Sequence, residues 1–388
     1  MNREQLRKRC LSFSRNSNLL CELATGVGKT KIAIDCCNQY LKKTKNKSVC
    51  IFAQTKVQLS NIKKDIEKWG GIDCDSVDFY CYRSISKATK KYSFVIFDEC
   101  HHMMTERVIG GLEKMKFKKA VFLSATVDPI LKEYLRVNQK VRVVSFNLID
   151  AIDNGILPKP TIILMPLNFD ETKDAYYLVN GWKKTNPVID DIKSIWIYRK
   201  NKVKASLRCS QEHCYKLMSE EIEYYRERYR QTGKAMDKTI IAKKSLDRLK
   251  WLSSIKEDFI KNLLKGLSDK RYIVFCSDVA QSMTMCEDAI HSKLKDPSVL
   301  IEKFNSKKID HLSSCRMLDE GINLFDCEYA CFNNIPASNV AQIQRFGRML
   351  RHKEPKIIIP YYKNTREEEI VKEWMSGFND EFKVINEC

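Results

Sequence analysis

The chain has 388 residues, 44% of them hydrophobic and 30% charged, a globular profile rather than a disordered or membrane one, with room for two domains with their own cores. Its apolar runs, Phe94–Phe97 and Ile357–Pro360 among them, are strand-sized and far too short to span a bilayer. A net charge of +19 and a pI near 9.2 favour a polyanionic partner, without choosing between nucleic acid and an acidic membrane surface.

The opening residues, Met1-Asn2-Arg3-Glu4-Gln5, are charged and lead into no apolar stretch followed by small residues, so no secretory signal is expected. The 16 cysteines are scattered. Cys50, Cys276 and Cys331 lie inside apolar runs, where cysteine acts as a small hydrophobe, and no C-x-x-C pair occurs. Cys209, His213 and Cys214 form the one tight Cys/His group, and it lacks a second ligand pair at zinc spacing. A reducing, cytoplasmic setting is expected.

Short β-branched runs alternate with helix-like stretches, the pattern of an α/β protein whose parallel sheets carry helices on both faces. The first strand, Asn18–Ala24, runs into Ala24-Thr25-Gly26-Val27-Gly28-Lys29-Thr30, and a helix follows over Lys31–Leu41. Strand, glycine loop and helix make a phosphate-binding loop. Gly26 and Gly28 let backbone N–H groups close around phosphate oxygens at a helix N-terminus. Lys29 is placed to reach the β/γ-phosphates and the Thr30 hydroxyl to ligate Mg²⁺. The usual pattern has a glycine where Leu23 stands.

Further strands are expected at Ser48–Thr55, Val77–Tyr82, Phe94–Asp98, Ala120–Ser124 and Val141–Phe146. The fourth, Phe94–Asp98, delivers Asp98-Glu99-Cys100-His101 to the C-terminal edge of a sheet, where ligands bind in open α/β folds. There Asp98 suits Mg²⁺, directly or through water, and Glu99 suits an attacking water. Ser124-Ala125-Thr126 ends the next strand on the same edge.

Gly155-Ile156-Leu157-Pro158-Lys159-Pro160 cannot continue a helix and marks an interdomain linker. This divides the chain into domains 1–157 and 158–388. A second strand series follows at Thr161–Leu167, Arg271–Cys276, near Ile309–Ser313, Tyr329–Asn333 and Lys356–Tyr361. Between its first two strands, about 170–266, lies a basic insertion that reads as helical, with Tyr224–Arg230 and Arg248–Leu252 rich in arginine, tyrosine and lysine. Gln344-Arg345-Phe346-Gly347-Arg348-Met349-Leu350-Arg351 closes the series. On a helix its arginines share one side and repel unless an anion lies between them. Phosphoryl charge in a transition state is the anion such fingers serve.

Together these segments resemble superfamily 2 helicases and translocases of the DEAD/DEAH-like type. Ala24–Thr30 is similar to motif I, Ile51–Ser60 to motif Ia and Asp98–His101 to a DECH form of motif II. Ser124–Thr126 resembles motif III, Tyr272–Ser277 motif IV, Asp319–Asn323 motif V and Gln344–Arg351 motif VI. The resemblance implies two tandem RecA-like domains binding ATP and Mg²⁺ between them. It implies that Ala24, Thr25, Gly26, Val27, Gly28, Lys29, Thr30, Gly321 and Arg345 hold the nucleotide, with Thr30 and Asp98 on the metal. Glu99 is implied as catalytic base, and Arg348 and Arg351 as fingers. His101, Ser124, Thr126 and Gln344 would couple nucleotide state to a nucleic-acid groove, and Gln5 stands where relatives carry an adenine-reading glutamine. Gln54-Thr55 replaces the usual proline-threonine pair of motif Ia, and Asn323 stands where motif V often has aspartate.

The wording of motifs II and VI is closer to DNA-acting branch-migration, repair and restriction-type motors than to RNA-specific DEAD-box proteins. The expected activity is therefore an ATP-driven motor on DNA. An RNA helicase is the alternative within the class, and a slowly hydrolysing ATP-gated clamp the alternative outside it. No membrane partner is expected.

Overall fold

The computed structural model describes residues 1–45, 47–172, 174–179, 181, 186–294, 296–315, 324–337, 345–347 and 350–376, and the backbone of 383–386. Its first half contains α1 (Arg3–Asn16), β1 (Asn18–Leu23), α2 (Lys29–Leu41), β2 (Val49–Ala53), α3 (Lys56–Trp69), β3 (Val77–Cys81), β4 (Lys91–Phe97), α4 (Glu106–Lys114), β5 (Lys116–Ser124), α5 (Pro129–Asn138), β6 (Val141–Phe146) and α6 (Leu148–Asp153). The strands form one parallel sheet in the order β3-β2-β4-β5-β1-β6.

Every second residue of these strands enters a different core. In β4, Phe94 and Ile96 pack into one cluster, while Val95 and Phe97 pack into the other. The unbroken apolar run therefore reflects a sheet covered on both faces. Phe97 stacks on Phe52 and Phe122 with ring centroids 5.2 and 4.7 Å apart. This fixes the level at which β4 ends, and hence where Asp98 emerges.

After turns over residues 154–160, the chain enters β7 (Thr161–Leu167). The insertion departs from the all-helical expectation. It begins with β8 (Asp174–Val179), β9 (Val188–Ile189), α7 (Ser194–Lys200) and β10 (Ala205–Ser210), which make a three-stranded sheet ordered β8-β10-β9. Helices α8 (Gln211–Thr232) and α9 (Ala235–Ile255) follow, turning at Gly233 with φ 63°. The sheet escapes a pattern search because β8 carries apolar residues on both faces: Ala175, Tyr177 and Val179 are buried, Tyr176 and Leu178 exposed.

The chain continues through α10 (Glu257–Lys265), β11 (Tyr272–Phe275), α11 (Val279–Met285), β12 (Ala289–Ile290), α12 (Ser298–Asn305), β13 (His311–Ser314), β14 (Tyr329–Phe332), β15 (Lys356–Tyr362), α13 (Arg366–Met375) and β16 (Lys383–Asn386). The second large sheet runs β12-β13-β11-β14-β15-β7-β16, again with parallel pairings. Phe169, on the loop after β7, stacks on Tyr362 at 4.9 Å and sits 5.8 Å from Tyr215 and 6.2 Å from Trp251, anchoring both long helices to this sheet. Lys256, between α9 and α10, is fully buried against Glu367 of α13, 2.6 Å away. Among the described residues, no helix is long and apolar enough to cross a membrane.

Candidate active site

The loop after β1 is held open by backbone conformation. The Ala24 amide donates to the Phe146 carbonyl at 2.8 Å, closing β1 against β6. Gly26 and Gly28 then take φ values of 92° and 98°, a region that side chains disfavour. Gly28 is the N-cap of α2 and provides no side-chain cap, so the first amides of the helix face outward as an anion site. Lys29 opens the helix and is only 9% exposed.

Beside it, β4 delivers the carboxylates. The Asp98 amide donates to the Phe52 carbonyl at 2.8 Å, and the Tyr82 hydroxyl donates to the Asp98 carbonyl at 2.7 Å. Glu99 has φ 48° and ψ 53°, a left-handed conformation that costs strain outside glycine and collects at functional sites. It brings Glu99 Oε1 to 3.7 Å from Lys29 Nζ and Oε2 to 3.4 Å from His101 Nδ1. His101 Nδ1 in turn lies 3.0 Å from Ser124 Oγ. Ser124 donates its single hydroxyl proton to the Thr126 carbonyl, so Nδ1 is the donor toward Ser124 Oγ. The Thr126 amide donates to the same oxygen at 3.3 Å. One polar chain thus links Lys29, Glu99, His101, Ser124 and Thr126.

Thr25 Oγ1, Lys29 Nζ, Glu99 Oε2 and Thr126 Oγ1 are buried with no hydrogen-bond partner. Buried polar atoms are nearly always satisfied, so this concentration at one sheet edge marks a ligand-shaped demand. The donor set fits a metal–nucleotide: a lysine and helix amides for phosphate, the Thr30 hydroxyl and Asp98 carboxylate for a hard, oxygen-seeking cation.

The second half closes the site. A β-carbon built on Gly26 would meet Leu157 Cδ2 at 3.1 Å and the Gly347 carbonyl at 3.6 Å; one built on Gly347 would stand 2.5 Å from Thr25 Cβ. Next to this contact a cleft of about 520 Å³ is lined by Arg3, Gly26, Leu157, Phe325, Arg351 and their neighbours. Arg3 donates to the carbonyls of Gly26 and Ile156 at 3.4 and 3.1 Å. The Arg351 guanidinium lies 5.3 Å from the Phe325 ring centroid. Burial, and then the charge of Arg3, hold the Arg351 pKa below its ordinary value. Two cations facing one cleft call for an anion.

The comparisons with known proteins follow this geometry. The chain is similar in structure to the Hef helicase domain of Pyrococcus furiosus, with a TM-score of 0.53 and 14% identity over 97% of each chain. It is also similar to S. cerevisiae Dbp5 bound to RNA and ADP BeF3, with a TM-score of 0.57 and 10% identity over 99% of this chain and 89% of that one. A variant of Dbp5 with the same ligands gives 0.60 and 11%. At such identities these likenesses speak for the fold alone. No curated protein matches. Residues 2–78 match the family described as type III restriction enzyme, res subunit, and residues 255–353 match the helicase conserved C-terminal domain.

These matches and the fold support a superfamily 2 helicase.

Helicase domains of this kind imply a nucleic-acid-dependent ATPase, and the fold has the two parallel-sheet α/β domains that go with it. Ala24, Thr25, Gly26, Val27, Gly28, Lys29 and Thr30 lie together on the loop, next to Asp98, Glu99, His101, Ser124 and Thr126. Arg351 faces the same cleft. Arg345 points elsewhere: it is 2% exposed, donates to the Asn334 carbonyl at 3.0 Å and sits 4.9 Å from the Phe275 ring, inside the second domain. The Gln5 side chain accepts from the Asn2 amide at 2.9 Å and serves the capping box of α1. Gly321, Gln344 and Arg348 lie outside the described residues. Arg3, Phe325 and the Gly347–Thr25 contact escaped the sequence reading. Nothing local to an N-terminal arginine or a lone phenylalanine signals a cleft that only tertiary packing creates.

Proposed function

We propose that this helicase is an ATP-driven motor acting on DNA, with hydrolysis at the junction of Lys29, Asp98 and Glu99 triggered by arginines of the second domain. One observation carries the reading: the unsatisfied buried polar atoms of Thr25 and Lys29 on the glycine loop, and of Glu99 beside it, adjoin the place where Gly347 presses on Thr25. In this reading Lys29 and the α2 amides hold the β/γ-phosphates, Thr30 and Asp98 hold Mg²⁺, and Glu99 orients and deprotonates the attacking water. Mg²⁺, when bound, supplies positive charge against the phosphate oxygens. Arg351 and Arg348 neutralise charge developing on the transferred group, so the site is complete only when the domains are closed.

His101 and Ser124 transmit the change. Loss of the γ-phosphate alters the charge next to Glu99; His101, 3.4 Å from that carboxylate, responds and carries the change through its bond to Ser124 toward Thr126, just after β5. Closure and release then alternate with nucleotide state, gripping and freeing a strand. Lysines such as Lys56, Lys63 and Lys64 of α3 offer phosphate contacts.

The match of the N-terminal region to a restriction-enzyme family supports DNA; the structural likeness to Dbp5 bound to RNA supports the alternative. ATPase turnover measured with no polymer, single-stranded DNA, duplex, forked DNA and RNA decides between them. The motor reading requires stimulation of several-fold or more by a polymer, and the DNA reading requires that polymer to be DNA. Equal turnover throughout overturns both.

A further inference from the structure

The three-stranded sheet of the insertion has one covered face and one open face. Ala175, Tyr177 and Val179 of β8 pack with Ala205 and Leu207 of β10, Ile195 of α7 and Cys214 of α8 in a separate small core. On the opposite face Tyr176 pairs across the strands with Arg208, Leu178 with Ser206, and Val188 of β9 with Ser206. Tyr176, Leu178 and Val188 are 50%, 62% and 57% exposed. Among the described residues, β8 and β9 are both edge strands, and β8 pairs only with β10. A half-exposed tyrosine beside a leucine and a valine on a pleated surface is costly in water unless something covers it.

Charge says what the cover is. From Lys202 to Arg208, leading into and along β10, the sequence carries three cations, Lys202, Lys204 and Arg208, and no acid, and all three are exposed. Arg208, paired across the strands with Tyr176, is also held by Asp190 beyond β9 at 2.7 Å. A protein partner fitting this face would have to be acidic and apolar at once, and a membrane would need a wider apolar area. A single strand of nucleic acid supplies both parts: base faces for the rings and aliphatic side chains, phosphates for the flanking cations. Duplex DNA presents no exposed base faces and uses only the cations.

We propose that the open face of β8-β10-β9 is a stacking platform for single-stranded nucleic acid, with Tyr176 as its aromatic contact and Lys202, Lys204 and Arg208 along its backbone. This second grip rests on the nucleic-acid reading above, but uses none of the residues of the ATP site. It moves with the second domain, because α8 and α9 are anchored to the second large sheet through Phe169, Tyr215, Trp251 and Tyr362. Strand held here is therefore carried whenever the cleft opens or closes.

The test is fluorescence anisotropy of the full chain with a short labelled oligothymidylate, without nucleotide. Wild type is compared with Tyr176→Ser/Leu178→Ser, Tyr176→Phe and Lys202→Gln/Lys204→Gln. All these residues are exposed, so the fold and basal ATPase should be unchanged. The serine pair should lose about tenfold in affinity with an unaltered salt slope. Tyr176→Phe should match wild type. The lysine pair should lower the slope of log K against log salt by about 0.7 per lost phosphate contact. Duplex affinity should be untouched by the serine pair. Equal single-strand binding by wild type and the serine pair overturns the platform and leaves the motor reading standing. A wild type that binds no oligonucleotide overturns both. A wild-type dimer in sedimentation that the serine pair converts to monomer identifies a second copy as the true cover, and also overturns the platform.

Discussion

Gly347 and Thr25 touch across the two domains so closely that a single added methyl group would not fit: a β-carbon at 347 would stand 2.5 Å from Thr25 Cβ and 3.2 Å from its carbonyl oxygen. Gly347 belongs to the arginine segment and Thr25 to the glycine loop after β1, so in the proposed mechanism this contact sets how nearly the arginines approach the nucleotide. Glycine here serves close approach, since Gly347 is absent from the positive-φ residues. Gly347→Ala should hold the domains slightly apart and cost about 1–3 kcal/mol, as overpacking does. Read as kcat for ATP, the loss is roughly five- to a hundredfold. Combining it with Thr25→Gly removes the atom in the way and should recover part of the rate. A steady-state double-mutant cycle checks this, and additive losses would refute the steric account.

Glu99→Gln keeps the size of the side chain but removes the proposed base. Turnover should fall about 10²- to 10⁴-fold. ATP binding should survive or tighten, because Lys29, now 3.7 Å from the carboxylate, loses its competing anion. Equilibrium titration with a fluorescent ATP analogue and single-turnover hydrolysis separate the two effects. Wild-type hydrolysis by the variant would remove Glu99 from the role.

The large sheets were legible because burial on both faces writes itself as apolar runs. Val141–Phe146 and Thr161–Leu167 were read to the residue, and the strand read from Phe94 begins at Lys91 only because Lys91, Tyr92 and Ser93 pair outside the apolar run. The phosphate loop was legible because its chemistry is local. What escaped depends on distant partners or mixed patterns. The left-handed Glu99 comes from packing at the end of β4, the burial of Arg345 on Phe275 from the second core, and the insertion sheet from strands apolar on both sides. A helix-borne arginine looks the same in sequence whether it faces a nucleotide or a phenylalanine.

The bond between His101 and Ser124, 3.0 Å long, predicts a defect of coupling rather than of chemistry. His101→Ala leaves Lys29, Asp98 and Glu99 in place, so basal ATPase should change by no more than a few-fold. Stimulation by nucleic acid should drop by about 5- to 150-fold, the range of ordinary coupling energies. Ser124→Ala should act in the same direction, and the double variant should be no worse than either single one. ATPase with and without saturating polymer measures it; full stimulation in His101→Ala would exclude this route.

Lys256 and Glu367 test how the second domain is held. Lys256 Nζ donates to Glu367 Oε1 at 2.6 Å and to the Pro360 carbonyl at 3.1 Å, and the Tyr362 amide donates to Glu367 Oε2 at 3.2 Å. Burial still pushes the Glu367 pKa up, against the pull of Lys256. Glu367→Gln strands a buried ammonium and should cost about 3–5 kcal/mol, whereas Lys256→Met/Glu367→Leu should recover much of it. Urea midpoints of the three proteins decide, and a single variant as stable as wild type would show the lysine escaping to water.

The hairpin of α8 and α9 carries a pH signature. Arg228 Nε lies 3.0 and 3.1 Å from the two Asp237 carboxylate oxygens, and this bond holds the Asp237 pKa below its ordinary 3.8. Because the folded value is depressed, the stabilisation is fully present above 3.8 and disappears as pH falls through the folded value. Asp237→Asn should therefore be less stable than wild type at pH 7, and the gap should narrow once the pH drops below 3.8. Helix content of the two proteins followed through urea unfolding at neutral and acid pH provides the comparison. A gap that persists unchanged into strong acid would mean that Asp237 works through packing at the α8–α9 turn, and that its charge contributes nothing.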